Sequence, residues 1–220
     1  MIVVPKHLDP ASLDRMLKSH RPIHREECLW YKDVGEMVAM QSDGFGSLYL
    51  EFGTASGVSA RWLAGMSGIR GLCCFDTFEG LPETWGSIPA GAFTCHGQLP
   101  MLPLDCRVIK GLFQDTLPGF LAEHPANPVA FIHIDCDLYS STAFVLEHVA
   151  PHLTVGSVLV FDDLFDYQGL TIDHEAKAFV EWYRECPFDL ELVMTCNDAE
   201  ISGKAFLRVV DTKTIRGEKP

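Results

Sequence analysis

Carboxylate side chains gather at the ends of two apolar, strand-like runs in the second half of the chain. Residues 132–137 read IHIDCD and residues 160–163 read VFDD, so Asp135, Asp162 and Asp163 directly follow residues expected to be buried. Burying several carboxylates together costs free energy unless a positive charge offsets it. Mg²⁺ and similar divalent cations prefer carboxylate oxygens and keep open positions for other ligands. The pattern therefore predicts a metal site formed by these three aspartates.

A metal ion at this position could activate a hydroxyl group. By chelating two neighbouring oxygens of a bound molecule, the ion would lower the pKa of the oxygen that reacts. The competing interpretation is that the aspartates cap the helices that follow their strands. Capping applies best to Asp137, which precedes a predicted helix near Ser141. For Asp135, Asp162 and Asp163 taken together we favour the metal.

A glycine turn and another acidic strand end indicate a nucleoside cofactor. Residues 47–53 (SLYLEFG) form a β-prone run that continues as Thr54-Ala-Ser-Gly57 into a predicted helix. Asp76 closes the next strand, where a carboxylate would accept hydrogen bonds from both hydroxyls of a ribose. The turn lacks the GxGxxG spacing of nicotinamide sites, and each feature alone also fits a structural turn or a helix cap.

Predicted strands and helices alternate along the chain and would position these residues. The strand-like runs are 47–53, 71–75, 107–110, 128–134, 157–161, 190–195 and 204–210, and the helical runs are 58–66, 117–123, 141–152 and 174–185. Such alternation is typical of a mainly parallel sheet with helices on both faces. A short link before the last strand predicts one antiparallel strand. We therefore expect an α/β, Rossmann-like fold with a seven-stranded sheet whose ligands bind at the carboxyl ends of the strands.

The length of 220 residues fits one domain covering residues 1–220. Residues 1–46 are expected to form helical cover ahead of the first strand of the sheet. Residues 81–103 are rich in proline and glycine and are predicted to be a substrate lid or insertion, the alternative being an ordinary surface loop packed by its own aromatics.

Composition excludes several classes of protein. With 17 Lys and Arg against 30 Asp and Glu, the net charge of −13 disfavours nucleic acid as a partner. The chain starts without an apolar run behind a basic head and has no membrane-length apolar stretch, so a cytoplasmic protein is expected. Its eight cysteines form no CxxC pair and are interpreted as free thiols.

Five segments, in this order, resemble the class I S-adenosylmethionine-dependent methyltransferases. Within that class they are similar to the macrocin O-methyltransferase (TylF-type) family, which modifies sugars in natural products. The segments are 51–57 (EFGTASG), 75–82 (FDTFEGLP), 111–118 (GLFQDTLP), 133–142 (HIDCDLYSST) and 161–163 (FDD).

The resemblance implies a metal-dependent O-methyltransferase that acts on a hydroxyl of a sugar or other small molecule. Asp76 would hold the ribose of S-adenosylmethionine, Phe113 and Gln114 would lie against its adenine, and the three aspartates would hold the metal. The residues expected to bind the cofactor are Glu51, Gly53, Thr54, Ser59, Asp76, Thr77, Phe113, Gln114 and Asp135. A homo-oligomer is a further expectation.

The general base is less well defined. Catechol O-methyltransferase is similar in its strand-end acids, but Leu138 stands where that enzyme has a lysine. The candidates that the residues offer are His174, Asp137 and His133, because histidine and carboxylate groups can take a proton near neutral pH. His174 could instead be an exposed histidine at a helix start with no catalytic role. His133 could instead be a core residue of its buried strand.

Other functions share part of this pattern. A nicotinamide-dependent oxidoreductase would use the glycine turn and Asp76 but has no need for Asp135, Asp162 and Asp163. A non-catalytic nucleoside-binding protein would keep the fold and lose turnover. A methyltransferase with a nitrogen or carbon acceptor would leave the aspartates with a structural role.

Overall fold

The computed structural model describes residues 2–20, 23–24, 46–66, 68–165, 171–197 and 203–211. Its helices are α1 (Pro10–Ser19), α2 (Val58–Ala64), α3 (Phe113–Glu123), α4 (Tyr139–Val149) and α5 (Glu175–Glu185). Its strands are β1 (Ile2–Val3), β2 (Ile23–His24), β3 (Leu48–Phe52), β4 (Cys73–Asp76), β5 (Arg107–Lys110), β6 (Val129–Ile134), β7 (Leu153–Phe165), β8 (Asp189–Asn197) and β9 (Gly203–Val210). Short 3₁₀ turns lie at Ala150–His152 and Thr171–Asp173.

One sheet collects all the strands of the described ranges. The order is β1-β8-β9-β7-β6-β3-β4-β5, with β2 beside β8, giving nine strands. Strands β3 to β7 pair in parallel, whereas β9 lies antiparallel between β7 and β8. The predicted Rossmann-like fold with one antiparallel strand is confirmed for the seven strands foreseen. The two additional strands, β1 and β2, are too short to give a sequence signal.

Apolar clusters cover both faces of the sheet. On one face Phe52, Ile132 and Phe161 pack with residues of α1, α3, α4 and α5. On the other face Tyr49, Phe131 and Val160 pack with residues of α2. All five residues of β3 are buried, as expected for a central parallel strand. Full burial of a large apolar side chain such as Phe52 is worth roughly 1.5–3 kcal/mol, so these clusters stabilise the sheet.

Several element boundaries differ from the predicted ones. Helix α3 begins at Phe113 instead of residue 117, although Pro118 lies inside it. Strand β7 continues to Phe165, so Asp162 and Asp163 lie within the strand. Pairing with β9 resumes beyond an irregularity, at Phe165 and Gly203, and this extends β7 past the expected end. Helices α2 and α4 end at Ala64 and Val149, before the predicted ends.

The described ranges include part of the N-terminal segment and seven of the eight cysteines. Helix α1 supplies helical cover within residues 1–46, while residues 25–45 lie outside the described residues. The seven described cysteines are free thiols, as predicted, and Cys28 lies outside. None of the helices in the described ranges has the length and apolarity that a membrane crossing requires.

Candidate functional site

A cavity of about 470 Å³ lies at the carboxyl ends of β3, β4 and β6 and beside the end of β7. It is the place where an open parallel sheet binds its ligands. The predicted site residues that line it are Gly53, Asp76, Thr77, Phe113, Gln114, Asp135, Asp137, Asp162 and Asp163. Most of the residues selected from the sequence are therefore brought together in space.

Gly53 allows the turn after β3 to lie directly on the end of β6. Its φ is +91°, and a Cβ atom there would stand 1.7 Å from the carbonyl oxygen of Asp135. The Asp135 N–H donates to the carbonyl of Phe52 at 2.9 Å. Only glycine fits this contact, which joins the expected cofactor turn to the expected metal site.

Asp76 is held in place by two backbone N–H groups. The N–H of Ala55 donates to Oδ2 at 2.7 Å, and the N–H of Phe78 donates to Oδ1 at 2.6 Å. Each carboxylate oxygen keeps a further lone pair for another donor. The carboxylate is thus oriented at the cavity wall and can still accept ribose hydroxyls.

Of the other residues expected to bind the cofactor, Phe113 lines the cavity, whereas Glu51, Thr54 and Ser59 do not. Phe113 lies edge-on to Phe52 with 5.2 Å between ring centroids. Glu51 and Thr54 are buried behind the cavity wall, with exposed fractions of 0% and 2%. Ser59 lies on α2, outside the lining residues.

The strand-end acids form two overlapping groups. His133, Asp135 and Asp162 offer ligand atoms within 4.8 Å of one another, and so do Asp135, Asp137 and Asp163. Burial, followed by the charge of Asp162, raises the pKa of Asp135 well above its usual range. Burial and the charge of Asp163 raise the pKa of Asp137 to about 9. A divalent cation would relieve the repulsion within this concentration of carboxylates, so the donor set fits one.

Lys204 enters the site from β9 and was missed in the sequence. Its ammonium group contacts Oδ1 of Asp162, and it lines the cavity. Burial opposes the charged form of Lys204, but the charge of Asp162 raises the lysine pKa above its usual value. The only signal available was a lysine at the start of an apolar run, which normally indicates a solvent-facing position.

His133 lies between Asp162 and Glu51 and contacts both carboxylates. Its Nε2 lies 3.3 Å from Oδ1 of Asp162, and its Nδ1 lies 3.2 Å from Oε1 of Glu51. Burial opposes a charged imidazole, but hydrogen bonds to Asp162 and Glu51 raise the pKa of His133 to about 10. The histidine therefore carries a proton at neutral pH and is poorly suited to act as a base.

Glu175, on the first turn of α5, is a second residue that sequence reasoning missed. It is fully buried. Its Oε1 accepts from the N–H groups of Cys136 at 3.0 Å and Asp137 at 3.2 Å, and its Oε2 accepts from the Asp163 N–H at 3.4 Å. An acidic residue at a helix start is usually a favourable dipole contact, so its sequence position carried no sign of this role.

His174 lies outside the residues that line the cavity. Its Nδ1 accepts from the Tyr139 N–H at 3.3 Å, and its ring lies edge-on to Trp85 at 6.4 Å. Burial lowers the pKa of His174 below its usual value. Of the base candidates, Asp137 is the one whose side chain borders the cavity.

The first part of the predicted lid, residues 81–93, borders the cavity. Leu81, Pro82, Trp85 and Phe93 contribute to its wall, and Trp85 is only 1% exposed. The hydroxyl of Ser140 on α4 contacts the carboxylate of Glu83, which ties the segment to the body of the protein. The first part of the segment, residues 81–93, thus contributes to the wall of the cavity, whereas Leu99 and Met101 are exposed.

A family model described as a methyltransferase domain matches residues 50–164. The chain is also 32% identical to the 8-demethyl-8-(2,3-dimethoxy-alpha-L-rhamnosyl)-tetracenomycin-C 4'-O-methyltransferase of Streptomyces olivaceus, over 40% of each protein. The match thus spans less than half of that relative.

Solved structures of methyltransferases share the fold. CalS11, a calicheamicin methyltransferase, superposes with a TM-score of 0.63 at 20% identity and 90% coverage of both chains. An O-methyltransferase from Bacillus cereus in complex with SAH gives 0.52 at 17% identity, covering 94% of this chain and 93% of that one. The family match spans half of the chain and confirms the predicted class of enzyme. The chain therefore belongs to the methyltransferase-domain family.

Proposed function

We propose that this protein transfers the methyl group of S-adenosylmethionine to a hydroxyl oxygen of a sugar or other small molecule, assisted by a divalent cation. The observation that carries the proposal is the close approach of Gly53 to Asp135, because it brings the glycine turn after β3 and the acidic cluster to one cavity. A methyl donor at that turn lies beside any acceptor at the aspartates. Nicotinamide chemistry offers no use for this juxtaposition.

The nucleoside of S-adenosylmethionine would bind in the part of the cavity lined by Asp76, Phe113 and Gln114. Asp76 presents an oriented carboxylate to the ribose, and Phe113 and Gln114 lie at the cavity wall for the adenine. The cavity volume of about 470 Å³ is within the range of small-molecule sites. Gly53 then lies towards the methionine end of the cofactor.

The predicted metal ligands Asp135, Asp162 and Asp163 line the same cavity, with Asp137 beside them. When bound, the cation would chelate two acceptor oxygens and lower the pKa of the one to be methylated. Asp135 belongs to both acidic groups and is the central ligand in this proposal.

The protein itself aligns the reactants and receives a proton. The oxygen–methyl bond forms as the sulfur–methyl bond breaks in line, so positioning lowers most of the barrier. Asp137 borders the cavity and is the proposed proton acceptor. Because its pKa is about 9 in the absence of a cation, it accepts a proton at neutral pH only once a neighbouring positive charge lowers that value.

The acceptor class is proposed from the relatives. The relative from Streptomyces olivaceus is named for 4'-O-methylation of a rhamnosyl tetracenomycin, and CalS11 is described as a TDP-rhamnose 3'-O-methyltransferase. These names support a sugar hydroxyl and agree with the proposed TylF-type membership.

Calorimetric titration of the metal-stripped protein with S-adenosylhomocysteine tests the proposal. Binding, absence of NADH binding, and additional heat with Mg²⁺ are expected, followed by turnover in a screen of sugar acceptors. The double variant Asp162→Asn/Asp163→Asn should keep S-adenosylhomocysteine binding and lose turnover. Preference for NADH, or unchanged turnover in the variant, would contradict the cofactor or the metal part respectively. Binding without turnover on any acceptor would favour the non-catalytic alternative.

A further inference from the structure

Lys204 occupies an unusual place for a cation, inside a cavity dominated by carboxylates. Strand β9 runs antiparallel to β7, so the start of β9 reaches the edge where the parallel strands end. Lys204 lies between the paired positions Ala205 and Gly203, opposite the irregular part of β7. The Lys204 and Asp162 side chains are only 15% and 18% exposed, so water screens their contact weakly.

Asp162 is engaged by the protein's own nitrogen atoms. Its Oδ1 contacts the ammonium group of Lys204 and lies 3.3 Å from Nε2 of His133. The acidic group formed by Asp135, Asp137 and Asp163 shares Asp135 with the group that contains Asp162. A metal ion that takes Asp162 as a ligand must therefore compete with these two nitrogen atoms.

We propose that Lys204 is a tethered cation that competes with the divalent ion for Asp162. The ion would bind first through Asp135 and Asp163, and it would gain Asp162 as a ligand only by displacing the lysine. This inference rests on the metal part of the proposed function. It makes Lys204 a positioning residue that sets how tightly the site holds its ion.

A structural lysine and a competing lysine predict opposite changes in metal affinity when Lys204 is replaced. Removing a merely structural lysine weakens the site, because Asp162 loses its partner and the strand ends loosen. Removing a competing cation strengthens metal binding, because Asp162 becomes available and a like charge disappears. The sign of the change in metal affinity therefore separates the two roles.

The test is a titration of the metal-stripped full-length protein with Mn²⁺, with free Mn²⁺ measured by electron paramagnetic resonance. Lys204→Met and Lys204→Gln should each bind Mn²⁺ about tenfold more tightly than the unmodified protein. Lys204→Arg keeps the charge and should show no gain. Arg208→Met is the matched control, because Arg208 is on the same strand but pairs with Glu191 outside the cavity.

A double variant tests the assigned partner. Adding Asp162→Asn to Lys204→Met should abolish the gain, since the released carboxylate is no longer present. Unchanged or weaker Mn²⁺ binding in the folded Met and Gln variants, or an equal gain in Lys204→Arg, would overturn the proposal. Absence of Mn²⁺ binding to the unmodified protein would overturn it as well. Titration of the same samples with S-adenosylhomocysteine reports separately on the methyltransferase proposal.

Discussion

The buried carboxylate of Glu175 accepts a hydrogen bond from the backbone N–H of Asp137, whose φ of +61° is in the left-handed region. A non-glycine residue there is strained by about 1–3 kcal/mol and keeps that conformation only if its surroundings impose it. Because Glu175 also accepts from the N–H of Asp163, one side chain holds two of the acid-bearing segments together.

Glu175→Gln should therefore weaken Mn²⁺ binding by about tenfold, since an amide donor would face the Asp163 N–H. Glu175→Ala should lower the free energy of unfolding by about 1–3 kcal/mol, because buried N–H groups lose their acceptor. Titration and denaturant unfolding measure these effects. Glu181→Gln, on the exposed side of the same helix, is the control and should change the free energy of unfolding by less than about 0.5 kcal/mol. If Glu175→Gln binds Mn²⁺ as tightly as the unmodified protein, Glu175 does not position the metal ligands.

Gly53→Ala should destabilise the protein by more than about 2 kcal/mol and abolish S-adenosylhomocysteine binding, because its Cβ would collide with backbone. Gly91→Ala is a matched control, since Gly91 also has a positive φ, +81°, but open space around its Cβ position. It should cost only about 1–2 kcal/mol, from backbone strain. Thermal unfolding and calorimetry give both numbers. Similar losses in the two variants would mean that strain, and not the contact with Asp135, requires glycine at position 53.

Asp76→Asn should reduce the affinity for S-adenosylhomocysteine by about tenfold or more. An amide nitrogen would face one of the two N–H donors and would no longer accept from a ribose hydroxyl. Asp115→Asn, an exposed change on the first turn of α3, serves as the control. Calorimetric titration measures the affinities. If both variants bind alike, Asp76 does not contact the ribose.

The metal-free protein should lose stability as pH rises from about 4, the usual pKa of an aspartate, to about 10, the raised pKa of His133. Burial and Asp163 raise the pKa of Asp137 to about 9, and hydrogen bonds raise that of His133 to about 10 against burial, so the folded state holds protons that the unfolded state has released. The stabilisation from such groups is fully present at low pH and is lost as pH rises towards these values. Asp137→Asn should flatten the decline measured as Tm with a chelator present.

The affinity for the divalent ion should rise over the same pH range, because binding displaces the proton from Asp137. A titration with Mn²⁺ at several pH values measures the change. An affinity independent of pH would show that the ion does not contact a protonated carboxylate.

Local patterns along the chain were sufficient for the sheet and for the acids at its carboxyl end. The apolar runs of β3 and β6 predict buried parallel strands, and parallel strands bring their ends to one edge. Asp76, Asp135, Asp162 and Asp163 were therefore found from their places after such runs, since position relative to a strand end is readable from neighbouring residues.

Only the tertiary structure decided which groups contact those acids and hold their segments. Lys204 reaches the side chain of Asp162 because β9 lies antiparallel beside β7, and Glu175 reaches the backbone N–H groups of Asp137 and Asp163 because the first turn of α5 packs against two strand ends. His174, expected near the acids, instead contacts Tyr139 and Trp85. These partners are far apart in sequence, and neither periodicity nor spacing records a contact made across the fold. The sequence by itself determined where the ligands gather, and the packing of distant elements determined how their charges are balanced.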